Sequence, residues 1–576
     1  MTRLRKALLI ISALVLIAVA WVWWNRPQRV EMSSYVPADS LIYLEANSLP
    51  EIAGAIVSTD AWRALAPAAG IKSNFGQVGW VSRLVAWTGI GPADSVALSR
   101  AQVAVTVMGL DAADAGETLK IKPLYALVVE THTSESRTRA AVEKRVGDFA
   151  RSAYGEPRIE RREADGAAFT VWSSPDGTRR IITAVIESVA VIGNDEGVVQ
   201  ACLAVRRGER PSLADNPQLG EMRRRVGGDG EALAFGYISP AGASRLLEVA
   251  ATAYAGQVSS DPRAQSAAAS LLPPLAKKIL GDIGWSSHAV NGAIEDRYFL
   301  SVQNGVTARL QTAFASANDV LLSSSGLLPA GTYSVSRYNY RDPDAAWRGL
   351  NDAISSQLDV TSSYIFSRLL EASLKPYGIE EPGSFLRAIG PEIVTARLDD
   401  SGSSTVTVVE VRDEKTLRDF VAKRFGPKTR AESIGDAEIL IANNEKRDAA
   451  SFVAGHLIMG TETNVRRCLE GRVNGRTLAS AETFLRASGA RTASVPANVV
   501  TFTADDAPAR SFIMGLAAQR GTRDREPNEE EFNRALGRLL YAVSETQLVN
   551  GGFEKRTRSS FGQFGALAAQ FASVGS

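Results

Sequence analysis

A chain of 576 residues is longer than one hydrophobic core supports, so at least two compact units are expected. With 45% hydrophobic and 22% charged residues, the composition is that of a globular protein and excludes global disorder. Lys+Arg 64 balance Asp+Glu 63, and a net charge of +1 leaves no electrostatic footprint for nucleic acid.

The chain opens with Arg3, Arg5 and Lys6, followed by an uncharged run from Ala7 to Trp24 in which Ser12 is the one polar interruption. Eighteen helical residues span about 27 Å, enough for most of a hydrocarbon core. Trp21, Trp23 and Trp24 cluster at its far end, where indole rings favour the interface. The basic residues before the run set residues 1–6 on the cytoplasmic side, with Arg26 and Arg29 softening the asymmetry. A cleaved signal peptide with Ala18–Ala20 as its small-residue site is the rival. The apolar run continues through that site, which favours a retained anchor over residues 7–24 and a linker over 25–34. Both readings place the bulk of the chain outside the cytoplasm; the retained anchor makes it a single-pass protein of the inner or cytoplasmic membrane with a periplasmic or extracytoplasmic bulk, and the cleaved signal a secreted one.

From Tyr35 onward the sequence repeats its own order. "YVPADSLIYLEANSLPEIAGAI" predicts a strand and then a helix capped by Ser48, with Pro50 in its first turn. "LLPAGTYSVSRYNYRDPDAAWRGL" repeats this, with a helix starting near Asp342. "WTGIGPADSVALSRAQVAVTV" is answered by "PYGIEEPGSFLRAIGPEIVTARL", and "KPLYALVVETHTSESRTRAAVEKRVGDFA" by "STVTVVEVRDEKTLRDFVAKRF". Short strands follow in each copy, then a strand, a Gly, a polar linker and a helix ending in Cys-Leu: "ESVAVIGNDEGVVQACLAVRRG" and "SFVAGHLIMGTETNVRRCLEG". The last echo pairs two hairpins, turning at Asn291-Gly292 and Asn550-Gly551.

Segments in the same order, offset by about 260 to 290 residues, mark a duplication of a domain-sized unit. The polar stretch "SANDVLLSSSG" (Ser316 to Gly326) separates copy 1, residues 35–318, from copy 2, residues 327–576. Copy 1 carries an extra segment, "YGEPRIERREADG", that reads as a solvated charged hairpin. The local order predicts an α+β fold: two tandem modules of mostly antiparallel sheet, helices packed on one face, after one transmembrane helix.

Reactive motifs are few. Cys202 and Cys468 hold equivalent places in the echoing segments, read as small residues packed under each helix or as one bridge between copies. His132, His288 and His456 are far apart and lack ligand-spaced neighbours, so no metal is expected. "TGIGP" at Thr88 to Pro92 reads as a turn and not a phosphate cradle. Asp399-Asp400 and Asp505-Asp506 read as capping or solvated carboxylates. Arg520 to Phe532 reads as a solvated loop entering a helix, and the Ala-rich stretch after Val249 as packed helices or a groove lining. No catalytic, cofactor-binding or metal residue is assigned.

"VPADSLIYLEANSLPEI", "GIGPADSVALSRAQVAVTV" and "VAVIGNDEGVVQACL" resemble the opening, the Gly-led helix-to-strand element and the Gly-then-helix closure of a bacterial family, domain of unknown function 3352. The resemblance implies an exported, often membrane-anchored bacterial protein and supplies no catalytic residues. The expectation is a non-catalytic, membrane-anchored envelope protein that binds a protein, peptide or lipid. The alternative is an exported hydrolase whose carboxylates meet only in the fold.

Overall fold

The computed structural model describes residues 29–71, 101–114, 119–164, 166–227, 231–258, 273–275, 277–317, 322–372, 374, 379, 381–491, 496–518 and 526–566. The expected membrane-spanning segment, 7–24, lies outside the described residues. Among the described residues, no helix is long and apolar enough to cross a membrane.

In the first half, β1 (Ile42–Ala46), α1 (Leu49–Val57) and α2 (Asp60–Leu65) are followed by β2 (Gln102–Asp114), β3 (Leu119–Glu130) and α3 (Glu135–Tyr154). Then come β4 (Arg158–Ala164), β5 (Ala167–Ser173), β6 (Arg180–Ile186), β7 (Val189–Gly193), α4 (Glu196–Arg206) and α5 (Pro217–Gly227). β8 (Ala234–Ile238), α6 (Pro240–Val258), β9 (Leu280–Val290), β10 (Ala293–Val302) and α7 (Asn304–Ala313) complete it. The second half starts with β11 (Ser334–Asn339), α8 (Pro343–Ser355), α9 (Val360–Ala372), α10 (Pro382–Ala388), β12 (Ile389–Arg397), β13 (Thr405–Val411) and α11 (Glu414–Phe425). β14 (Arg430–Ile434), β15 (Ala437–Ile441), β16 (Asp448–Val453), β17 (His456–Thr461), α12 (Glu462–Val473) and α13 (Glu482–Gly489) follow. It closes with β18 (Val499–Thr503), α14 (Asp506–Ala517), α15 (Glu529–Leu536), β19 (Ala542–Val549) and β20 (Gly552–Ser559).

Local chemistry sets these boundaries. Ser48 accepts the Glu51 N–H at the start of α1, and Asp342 accepts the Ala345 N–H at the start of α8. Each helix has Pro in its first turn, where a missing N–H costs nothing. Gly193 ends β7 where a Cβ would stand 2.8 Å from Val199 Cγ2 and 2.9 Å from the Tyr125 carbonyl, so the strand can turn tightly into α4 only without a side chain.

Strand pairing is antiparallel throughout and gives the order β4-β5-β6-β7-β3-β2-β1-β8-β9-β10 in the first half. The second half reads β14-β15-β16-β17-β13-β12-β11-β18-β19-β20. Every strand in one half thus has the neighbours of its counterpart in the other. Pro37 bridges to Ser212, and Pro329 bridges to Thr477, so the two Pro-Ala openings dock alike. The architecture is α+β, as expected.

The helices do not keep to one face, which corrects the expectation from sequence. Val128 and Val191 pack with Cys202 and Leu203 of α4 on one side of the first sheet half. Their neighbours Val129 and Ala190 pack with Val142, Val146 and Ala150 of α3 on the other. The second half repeats this: Val408 and Ile458 meet α12, whereas Val409 and Leu457 meet α11. The cause is in the strands, since runs such as Ala126-Leu127-Val128-Val129 are apolar on both faces, the mark of a sheet covered twice.

The halves join through β10 and β20, which pair over eight residues from Ile294↔Ser559 to Ser301↔Gly552. They also exchange helices. Trp62 and Leu65 of α2 pack with Phe512, Phe532 and Leu536 of the second half. In return, Ala353 of α8 and Phe366 of α9 pack with Leu275, Ile279, Val306 and Leu310 of the first. Neither half therefore closes its own apolar surface. Expressed apart, residues 29–317 and 318–576 are expected to aggregate or to lack a cooperative thermal transition, and co-expression to restore one. Two separately cooperative halves, seen by calorimetry, would contradict this.

Candidate functional site

A cavity of about 200 Å³ lies where the two halves meet, at the Asn291-Gly292 turn. The turn takes left-handed backbone at both residues, φ 42° and 74°, the conformation that an Asn-Gly pair supplies at least cost. It is held from both sides: the Asp60 N–H donates to the Gly292 carbonyl at 2.8 Å, and Arg558 Nη2 donates to the Asn291 carbonyl at 3.0 Å. Small and apolar side chains, Ala61, Ala64, Ala490, Ala535, Leu539 and Val543, line much of the wall.

The remaining lining is charged. Arg491 Nε donates to Glu545 Oε1 at 2.8 Å, with Glu545 buried in β19. Glu295 is also buried and accepts from Arg297 Nε at 2.7 Å. Arg556 pairs with Glu554 at 2.6 Å, and Asp60 with Arg63 at 2.6 Å. Asp505 is buried at the start of α14, where its Oδ2 accepts the Ser560 N–H at 2.6 Å. Burial pushes its carboxyl up to about 6. Among the described residues, Arg538 and Arg558 line the cavity with no carboxylate within ion-pair distance. Glu295 stands across the ladder from Arg558 but gives its oxygen to Arg297.

A wider hollow of about 580 Å³ lies at the other hairpin turn, beside Gly551. There Arg225 of α5 donates to the Asn550 carbonyl at 3.1 Å and stacks over Phe299, 4.5 Å from the ring centroid. Glu221 and Asp282 are the acidic groups of this lining, and Arg225 pairs with Glu221. Phe299 and Arg558 are each the eighth residue after their turn asparagine. Arg225 and Ala490 also correspond, each standing twelve residues after the start of the short 3-10 turn that precedes α5 or α13. The two corners thus occupy equivalent places in the framework but differ in the turn, left-handed at both Asn291 and Gly292 and only at Gly551 in the other, and in which side chain reaches it.

Of the residues singled out in the sequence, Asn291, Gly292 and Asp505 line the cavity where the halves meet, and Asp399, Asp400, Asp505 and Asp506 line a separate hollow together; the cysteines and histidines fall elsewhere. Cys202 and Cys468 are free thiols buried in separate cores, so the bridge is not formed; burial pushes each up to about 12. His132 has Nε2 3.1 Å from Gln102 Oε1. His288 is buried in β9 with Nε2 2.9 Å from Ser286 Oγ, and burial and then Arg297 hold it below the usual histidine range. His456 comes within 3.3 Å of Ser323 Oγ, the nearest thing to a nucleophile beside a base. The Ser323 hydroxyl also lies 2.5 Å from Glu392, which accepts the backbone N–H groups of Ser323 and Ser324 as well. One hydroxyl proton cannot serve both partners.

Among the described residues, no group of three or more His, Cys, Asp or Glu is placed to hold a metal ion. Asp399 is exposed in a turn, its carboxyl held below the usual range by the Ser401 hydroxyl. Thr88 to Pro92 and residues 520–525 lie outside the described residues. Asp505 corrects the expectation of a capping or solvated carboxylate: it caps nothing with its side chain and is buried by the segment after β20. The cavity itself was missed. The available signal was Glu-x-Arg at the same distance after each Asn-Gly, Glu295 with Arg297 and Glu554 with Arg556. No family model, no curated protein and no solved structure matches the chain.

Two measurements follow from this burial. Between its ordinary value of 3.8 and about 6, Asp505 is protonated in the native state and ionised in the unfolded one, so its contribution to stability falls as pH rises. Asp505→Asn keeps an acceptor for Ser560 and removes that proton. The variant should gain on the wild type by about 1–3 kcal/mol between pH 4 and pH 7 in urea titrations. Glu45 and Asp296, also pushed up by burial, keep some slope in both proteins. A gap constant with pH would refute the assignment. Both thiols should resist a disulfide reagent in the native protein and titrate fully in denaturant.

Proposed function

We propose that the chain is a non-catalytic binding protein of the bacterial envelope. Two copies of one α+β module share a sheet outside the cytoplasm, carried on a single amino-terminal helix over residues 7–24. The cavity between the copies receives the exposed end of a protein, peptide or lipid. The observation that carries this reading is that the walls of the cavity come from both halves. Identical strand neighbours in the two halves support the duplication, and the resemblance to domain of unknown function 3352 supports export.

The first described residues support the tether. Arg29 forms ion pairs with Glu51 and Glu231, and the Val30 N–H and carbonyl both bond to Gln102 at 2.8 Å. Gln102 is buried, so the stem is tied into the sheet and not left as a free linker. Binding is favoured over hydrolysis because Glu295 and Glu545 each already hold an arginine, while Asp505 holds an amide. A hydrolase would need two of these carboxylates free to exchange protons.

The test is recovery of the full-length protein from its native membrane in mild detergent, with bound lipid and protein identified together. Ala490→Trp fills the cavity from a half-buried position. A ligand retained by the wild type and lost from Ala490→Trp is the expected result. Equal retention by the two proteins, with the variant still folded by circular dichroism, would sink the proposal.

A further inference from the structure

The deeper question, which rests on reading the junction cavity as a binding site, is what chemistry it accepts. We infer that it takes a small organic carboxylate, its oxygens held by Arg558 and Arg538 and its apolar body set against the alanine and leucine wall. Size comes first. A cavity of about 200 Å³ is slightly larger than the roughly 150 Å³ that holds one benzene ring, so a whole lipid or folded segment does not enter.

Charge comes second. Of the carboxylates in the lining, Glu295, Glu545 and Asp60 are each engaged by an arginine and Asp505 by the Ser560 N–H, whereas Arg538 and Arg558 have no carboxylate partner among the described residues. Arg558 is fixed, since its Nη2 bonds to the Asn291 carbonyl and leaves its other N–H groups for an incoming acceptor. A guanidinium fork matches a carboxylate in a way that a point cation does not.

The corresponding corner supplies the contrast. At the Asn550-Gly551 turn, Phe299 stands where Arg558 stands here, and Arg225 stands where Ala490 stands here. That arginine pairs with Glu221, and Asp282 adds a second acid, so the hollow has no cation to spare. With Ala490, the first corner keeps open space beside its arginines. The carboxylate arrives either on a free small acid or as the end of a peptide chain, and the same two arginines would read both.

Calorimetric titration of the full-length protein in detergent at neutral pH separates these outcomes. The probes are benzoate, its neutral isostere benzamide, inorganic phosphate, and a short peptide ending in phenylalanine with a free or an amidated terminus. Benzoate or the free-acid peptide should bind, and benzamide, phosphate and the amidated peptide should not. Benzoate as the tighter ligand identifies a free acid; the free-acid peptide as the tighter identifies a chain end. Arg538→Gln with Arg558→Gln should weaken binding by about tenfold or more, the loss expected of charge-assisted hydrogen bonds. Lys423→Gln, a remote surface change, should leave it within about twofold. Equal binding of benzoate and benzamide, binding of phosphate alone, or unchanged affinity in a double variant with wild-type melting would overturn the carboxylate assignment. If no probe binds while Ala490→Trp still sheds the membrane-derived ligand, the assignment falls and the cavity reading survives.

Discussion

The joining of the two halves depends on the ladder between β10 and β20. At its centre Arg297 stands directly opposite Arg556. Each is the sixth residue after its turn asparagine, so the pairing brings the same position of two hairpins face to face. Like charges directly across an antiparallel pair are unfavourable. Here each guanidinium is met by the glutamate two residues before it, Glu295 or Glu554, with the Nε donating at 2.7 Å in both. Each strand therefore neutralises its own arginine, and two copies of one Glu-x-Arg pattern let the guanidinium groups stand opposite each other. Gly552 completes the fit, because a Cβ there would stand 2.0 Å from the Leu300 carbonyl.

Once the two hairpins meet, the helices must cross over. α2 leaves the first half and finds its apolar partners in α14 and α15, while α8 and α9 answer by covering α7. The exchange turns a thin strand-to-strand contact into an interlocked one. The outer edge of the first half is treated differently: β4, Arg158–Ala164, is exposed along most of its length and carries charges of both signs, which blunts it against further pairing. A sheet that grows at one edge and is closed by charge at the other has one place left for association, and the chain fills it with its own second half.

How far the sequence could be read follows from the range of each interaction. Ser48, Asp342 and the two Asn-Gly turns act within four residues, and their roles are visible in the letters. The sidedness of the sheet was equally present, in Leu127-Val128-Val129 and Val408-Val409, but an apolar run does not say that helices come from both sides until the partners are placed. Asp505 could not be read at all. Its neighbour in sequence is another aspartate, which suggests water, and its burial comes from a segment 55 residues later. The cavity gathers Asp60, Asn291, Arg491, Glu545 and Arg558, which only the ladder and the exchanged helix bring together.

The two hairpin corners show how a repeated framework can enclose two different cavities. Each turn carbonyl needs a donor, and the framework offers two routes to it: from the eighth residue after the asparagine, or from the helix packed behind the turn. The Asn550 corner uses the helix, with Arg225 lying on Phe299 and tied to Glu221, so the cation is consumed in holding the fold. At the Asn291 corner the strand supplies it, through Arg558, and alanine can then occupy the helix position. One exchange of roles frees volume and leaves positive charge facing it. Of the carboxylates in the lining, Glu295 and Glu545 are held by arginines of the central ladder and of the segment after α13, Asp60 by Arg63, and Asp505 by the Ser560 N–H. The cavity is thus a consequence of how the halves are joined: the ladder sets Glu295 opposite Arg558, and the pairing of Glu295 with Arg297 is what leaves Arg558 without a carboxylate.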